Sequence, residues 1–155
     1  IEIMDQMTIR AVENFLQIGL DTSKAAFLLL EVDGEAWEVE QQLEQVIAIC
    51  KENEAVQIEV AHTAQERAAL WKARKSISGA CGKINPTKIG EDIAVPPAAI
   101  PAMIKAVKEI AQKYNLNMVV FGHAGDGNLH PNIMTDKRNT EEMARVNQAI
   151  DELFA

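Results

Sequence analysis

A chain of 155 residues with 48% apolar side chains can close one hydrophobic core and suits a single domain. Its formal charge of −8 and pI near 4.9 argue against nucleic acid or an anionic membrane surface as partner. No apolar run reaches the ~20 residues of a membrane span, no secretory leader is visible, and Cys50 and Cys81 lack metal-type spacing, which points to a reducing, cytoplasmic setting.

The chain opens at Ile1 without an initiator methionine and stops at Phe154-Ala155 inside a helical pattern, so we expect an excised piece of a larger protein. Residues 5–20 are predicted as a helix, with Val12, Phe15, Leu16 and Gly19 on one stripe. Residues 25–32 form a near-continuous apolar run closed by Asp33-Gly34, the pattern of a buried strand. Residues 35–54 read as an acidic amphipathic helix whose core face is Val39, Leu43, Val46, Ile47 and Cys50. Val56, Ile58 and Val60 alternate, which predicts a second strand.

His62 falls in the following loop, and Thr63-Ala-Gln-Glu66 fits a capping box. The helix it opens carries Trp71, Arg74, Ser78 and Cys81 on one face. A guanidinium beside Trp71 needs an anion, either an internal Asp or Glu or a substrate carboxylate held bidentately. Residues 76–87 are rich in Ser, Gly, Asn and Pro and are expected to be a fraying helix end and a mobile loop. A strand follows from Lys88 through Ile93 and Val95, then a helix begun by Pro97 or Pro101 with Ile100, Met103, Ile104, Val107, Ala111 and Tyr114 inward. After a turn at residues 115–117 and a hairpin comes a polar loop over 135–140. Thr140 starts a last helix with Met143, Val146, Ile150 and Phe154 inward.

The hairpin is Phe121-Gly-His-Ala-Gly-Asp-Gly-Asn-Leu-His-Pro-Asn132, which holds two of the three histidines. Asp-Gly favours a two-residue type I′ turn. With Asp126 and Gly127 as the loop, His123 pairs directly with His130, their Cβ atoms roughly 4.5–5.5 Å apart. Asn132, two residues on, shares their face. Two imidazoles so placed can ligate one metal, or one can act as base. Gly122, Gly125 and Gly127 suit close approach of a ligand to the backbone. The element order predicts an α+β fold, helices on one side of a mainly antiparallel sheet, with residues 25–60 as half of a ferredoxin-like βαβ unit.

Gly122-His-Ala-Gly-Asp-Gly-Asn-Leu-His130 resembles the signature of the FAD-linked oxidases related to vanillyl-alcohol oxidase, and Pro131-Asn132 extends the match. The nearest branch is that of glycolate oxidase, D-lactate dehydrogenase and D-2-hydroxyglutarate dehydrogenase. Residues 29–34, 71–74 and 91–96 are similar to further, weaker motifs of that branch. The resemblance implies that residues 1–155 are part of a C-terminal, substrate-binding domain of ferredoxin-like fold. It also implies FAD held mainly by a separate N-terminal domain, and a 2-hydroxy acid as substrate. Arg74 would grip the substrate carboxylate, helped by Ser78 and Lys88, and Asn132 would orient the substrate. Gly125 and Asn128 would face the flavin. His123 and His130 would act in catalysis, with a divalent zinc, manganese or iron ion on the pair. Relatives complete that metal site from a downstream Ser-x-Glu-His-Gly segment, which this chain does not contain. Other components of a glycolate oxidase assembly are implied partners, with membrane association only through such a partner. Two other readings stay open: a non-catalytic ferredoxin-like module that senses a small acid or a metal, and, more weakly, a metal-dependent hydrolase.

Overall fold

The computed structural model describes residues 1–155. The chain begins with strand β1 (Glu2–Asp5) and helix α1 (Gln6–Leu16), followed by β2 (Ala26–Leu29) and α2 (Ala36–Glu52). Next come α3 (Ala64–Lys75), α4 (Ile77–Ile84), β3 (Thr87–Gly90) and β4 (Ile93–Ala94). Helix α5 (Ile100–Tyr114), the hairpin β5 (Asn117–His123) and β6 (Asn128–Thr135), and α6 (Thr140–Leu153) complete it.

The fold is α+β on one antiparallel sheet in the order β2-β1-β5-β6-β3, with β4 also paired to β6. Helices cover both faces of the sheet, not one as expected. Alternation along β5 is the reason. Met118 and Val120 turn to a core shared with Val107 and Ile110 of α5 and Val146, Ala149 and Leu153 of α6. Val119 turns the other way, to Ile9 and Val12 of α1 and Ile77, Ala80 and Cys81 of α4. On β6, Leu129 and Ile133 enter the first core and Met134 the second. Full burial of each such side chain stabilises the fold by about 1.5–3 kcal/mol.

Several predicted elements are displaced. The first helix is preceded by a strand, and Asp5, expected to open the helix, caps it instead by accepting from Thr8 N at 2.8 Å. Residues 77–84, within the stretch expected to be a fraying helix end and mobile loop, form a separate helix, α4, because Ile77, Ala80 and Cys81 recur at helical spacing and are buried. Burial also pushes the Cys81 thiol pKa up, as suits an inert packing residue. The strand from Lys88 to Val95 is two short strands, β3 and β4, both on β6.

The predicted strand at 56–60 is absent. That stretch pairs with nothing, Val56 is 77% exposed, and residues 25–60 therefore do not close a βαβ half-unit.

Candidate functional site

The hairpin sets the site. Its register is Phe121 with His130, Gly122 with Leu129 and His123 with Asn128, closed by the four-residue loop 124–127. The expected direct pairing of His123 with His130 is therefore two residues off. Asp126 does not take positive φ; its Oδ1 accepts from Asn128 N at 3.0 Å, and only Gly127 is left-handed, at φ 78°. A two-residue slip keeps every side chain on its face, whereas a one-residue slip would have reversed them. The two imidazoles accordingly meet, edge to face, with ring centroids 5.3 Å apart.

Two of the three hairpin glycines serve the chain itself. A Cβ on Gly127 would lie 1.8 Å from Val95 O, and one on Gly122 2.3 Å from Asn128 O. Gly125 alone is open, since an added Cβ there would meet nothing nearer than Ile1 at 3.8 Å.

Strand β1 brings in a residue that sequence reasoning missed. Glu2 pairs in register with His123. Its Oε1 accepts from His123 Nδ1 at 2.7 Å and its Oε2 from Arg74 Nε at 2.7 Å. Burial alone would raise the Glu2 pKa, but the hydrogen bonds from Arg74 and His123 outweigh it and hold the carboxyl below its usual value. An ionised carboxylate only accepts, so Nδ1 of His123 carries the proton, and in the neutral ring Nε2 keeps its lone pair. The signal for Glu2 was the alternation Ile1-Glu2-Ile3-Met4, a strand pattern with one acid on an apolar face.

Arg74 stands in the last turn of α3, its guanidinium 5.1 Å over the Phe121 ring. Of the two anions weighed for it, the structure holds the internal acid. The internal one is Glu2, which takes the Nε edge; both side chains are more than four-fifths buried. The terminal Nη groups make no hydrogen bond to the protein and remain for a second carboxylate. Phe121 in turn lies 5.6 Å from the His130 ring.

His130 Nδ1 donates to Asp92 Oδ1, a second carboxylate–imidazole pair that was not anticipated, although Asp92 lay in a motif already singled out. Asp92 is exposed where Glu2 is half-buried.

The remaining predicted residues fall on or near this face. Asn132 is 3% exposed, and its Nδ2 donates to His130 O at 2.8 Å, so one of its two amide N–H groups already serves the backbone. Lys88 donates to Ser78 Oγ at 3.5 Å, and neither hydrogen-bonds to Arg74 or the histidines. Asn128 lies opposite His123, on the same face. Trp71 turns away and donates to Glu31 at 2.6 Å, in an exposed cluster with Arg67. His62 sits in the loop before α3, where its backbone N donates to Glu66.

No three or more His, Cys, Asp or Glu side chains converge as a metal site. Nδ1 of each histidine is taken by a carboxylate, so this chain offers two imidazole nitrogens, short of the usual three protein ligands of catalytic zinc. The expected divalent ion gains no support.

The family model described as "FAD linked oxidases, C-terminal domain" matches residues 1–155. The glycolate oxidase subunit GlcD of Bacillus subtilis (strain 168) is 47% identical over 154 residues, 99% of this chain and 33% of that protein. GlcD of Escherichia coli (strain K12) is 34% identical over 148 residues, 96% of this chain and 30% of that protein. The probable mitochondrial D-lactate dehydrogenase of Danio rerio is 28% identical over 155 residues, 99% of this chain and 31% of that protein. The chain thus spans about a third of the length of these relatives.

Proposed function

The chain belongs to the family of FAD-linked oxidase C-terminal domains, and from that premise we propose that it is the substrate-binding part of an enzyme that oxidises a 2-hydroxy acid of the glycolate or D-lactate type to the 2-oxo acid. One observation carries the reading: a guanidinium with free Nη groups and an imidazole with a free Nε2 are tied to the same carboxylate. A 2-hydroxy acid has its carboxylate and its hydroxyl on adjacent carbons, so it needs a cation and a proton acceptor side by side.

Arg74 binds the substrate carboxylate through its Nη groups. Nε2 of His123 accepts the hydroxyl proton as hydride leaves the α-carbon, and Glu2 stabilises the imidazolium that results. His130, tied to Asp92 through Nδ1, lines the other side of the hydroxyl. Asn132 Oδ1, Lys88 and Ser78 line the approach. A bound flavin supplies the two-electron acceptor. Gly125, with open space over its Cα, and Asn128 are the residues of this chain that would lie against it. The flavin-binding domain of the parent chain and other components of a glycolate oxidase assembly are the proposed partners. The proposed location is cytoplasmic, with any membrane attachment through such a partner.

The test uses the full-length parent protein, D-2-hydroxy acids and an artificial dye acceptor. His123→Ala and His130→Ala are expected to abolish turnover, and Arg74→Ala to act mainly on KM. Unchanged kinetics in all three refute the reading. A sensing module without catalysis would instead bind the acid and show no substrate-dependent flavin reduction.

A further inference from the structure

We propose that Glu2 is a positioning residue that sets the two ends of the substrate site at once, the carboxylate anchor and the proton acceptor; this rests on the function proposed above. The two oxygens of one carboxylate have different partners. Oε2 holds Arg74 by Nε and Oε1 holds His123 by Nδ1, both at 2.7 Å. Each contact has a separate consequence. The first turns the guanidinium so that its Nη edge, not its Nε edge, is free. The second selects the imidazole tautomer whose lone pair is on Nε2. Together they tie the anchor and the acceptor to the two oxygens of a single carboxyl group, so neither can turn without disturbing the acid they share.

The backbone under Glu2 is rigid. Strand β1 is paired on both edges, Glu2 with Leu29 on one side and with His123 on the other. Ala124 N donates to Ile1 O at 2.9 Å and closes the end of the ladder. The Glu2 side chain is only 15% exposed, which limits solvent competition for its contact with Arg74. Asp92, the counterpart on His130, is 80% exposed on its side chain, touches no cation, and sits beyond the end of β3. Glu2 is therefore the one acid that couples the two functions.

Two substitutions separate those functions in the full-length protein. Glu2→Gln keeps the volume and an oxygen for Arg74, but it turns an N–H toward Nδ1 and favours the tautomer with Nε2 protonated. Its kcat is expected to fall by at least about 100-fold with KM changed only a few-fold, as for a base held in the wrong tautomer. Glu2→Asp keeps the charge but is too short to reach both partners. It is expected to keep more kcat than Glu2→Gln, to raise KM, and to lower the ratio of kcat/KM for a 2-hydroxy acid over its 3-hydroxy isomer. A purely structural role would lower the melting temperature and the folded yield while leaving kcat per folded flavoprotein and the 2- to 3-hydroxy ratio untouched; that result overturns the proposal. Wild-type kinetics in Glu2→Gln, with Arg74→Ala and His123→Ala still impaired, overturn it too and leave the proposed function standing. Wild-type kinetics in Arg74→Ala and His123→Ala overturn both.

Discussion

The β5–β6 hairpin and helix α2 carry apolar patterns of similar clarity and meet different fates. In the hairpin, Met118, Val120, Leu129 and Ile133 enter one core and Val119 and Met134 the other, all nearly fully buried. In α2 the stripe of Val39, Leu43, Val46, Ile47 and Cys50 sits where periodicity puts it, yet none of the 17 residues of the helix is buried. The extended stretch after it is exposed as well. Both segments obey their local rule. The hairpin lies at the centre of a sheet with helices on both sides, while α2 follows β2, an edge strand. Periodicity states which residues would profit from cover; it does not say what provides it.

Substitutions in the two regions sharpen or break this contrast. The largest effect is expected at Gly127. Alanine there must accept φ 78° and displace Val95 O from 1.8 Å, so Gly127→Ala should lose cooperative thermal unfolding by circular dichroism. Leu129→Ala empties a fully buried position and should cost about 2–5 kcal/mol in denaturant unfolding. Leu43→Ala on α2 should stay within about 0.5 kcal/mol, as at a site the core does not cover. A loss at Leu43 equal to that at Leu129 would mean that α2 is packed, and the contrast would fail.

The smallest effect concerns pH in the loop leaving the hairpin. Hydrogen bonds from Arg138 lower the Asp136 pKa from 3.8 to about 2. A depressed carboxyl stabilises the fold above its unfolded pKa and ceases to do so as pH falls through its folded value. The stability difference between wild type and Asp136→Asn should therefore be present at pH 5 and vanish as pH approaches 2. A difference that grows on acidification would reverse the assignment.

Much of the site could be read from the hairpin motif, but only part of its geometry. The shared face of His123, His130 and Asn132 follows from a period of two, which a two-residue register error leaves intact. The register itself escaped, because an Asp-Gly pair fits a two-residue loop as well as the observed four-residue one, where Asp126 bonds to Asn128 N. Arg74 drew notice as a guanidinium on the helix face that carries Trp71. Its partner Glu2 did not, because the two stand 72 positions apart, and the alternation Ile1-Glu2-Ile3-Met4 marks an acid on a strand without saying which cation it meets. Helix α4 was hidden by Gly79 and Gly82, whose low helix propensity is outweighed by the burial of Ile77, Ala80 and Cys81.

By itself the amino-acid order determined most of the elements, the α+β class and the face on which the hairpin histidines lie, since each depends on spacing within one segment. The tertiary structure decided that helices cover both sides of the sheet, that β1 lies between β2 and β5, and that one acid joins a guanidinium to an imidazole. Those outcomes depend on which distant segments become neighbours, and that follows from closing the whole core at once rather than from any local pattern.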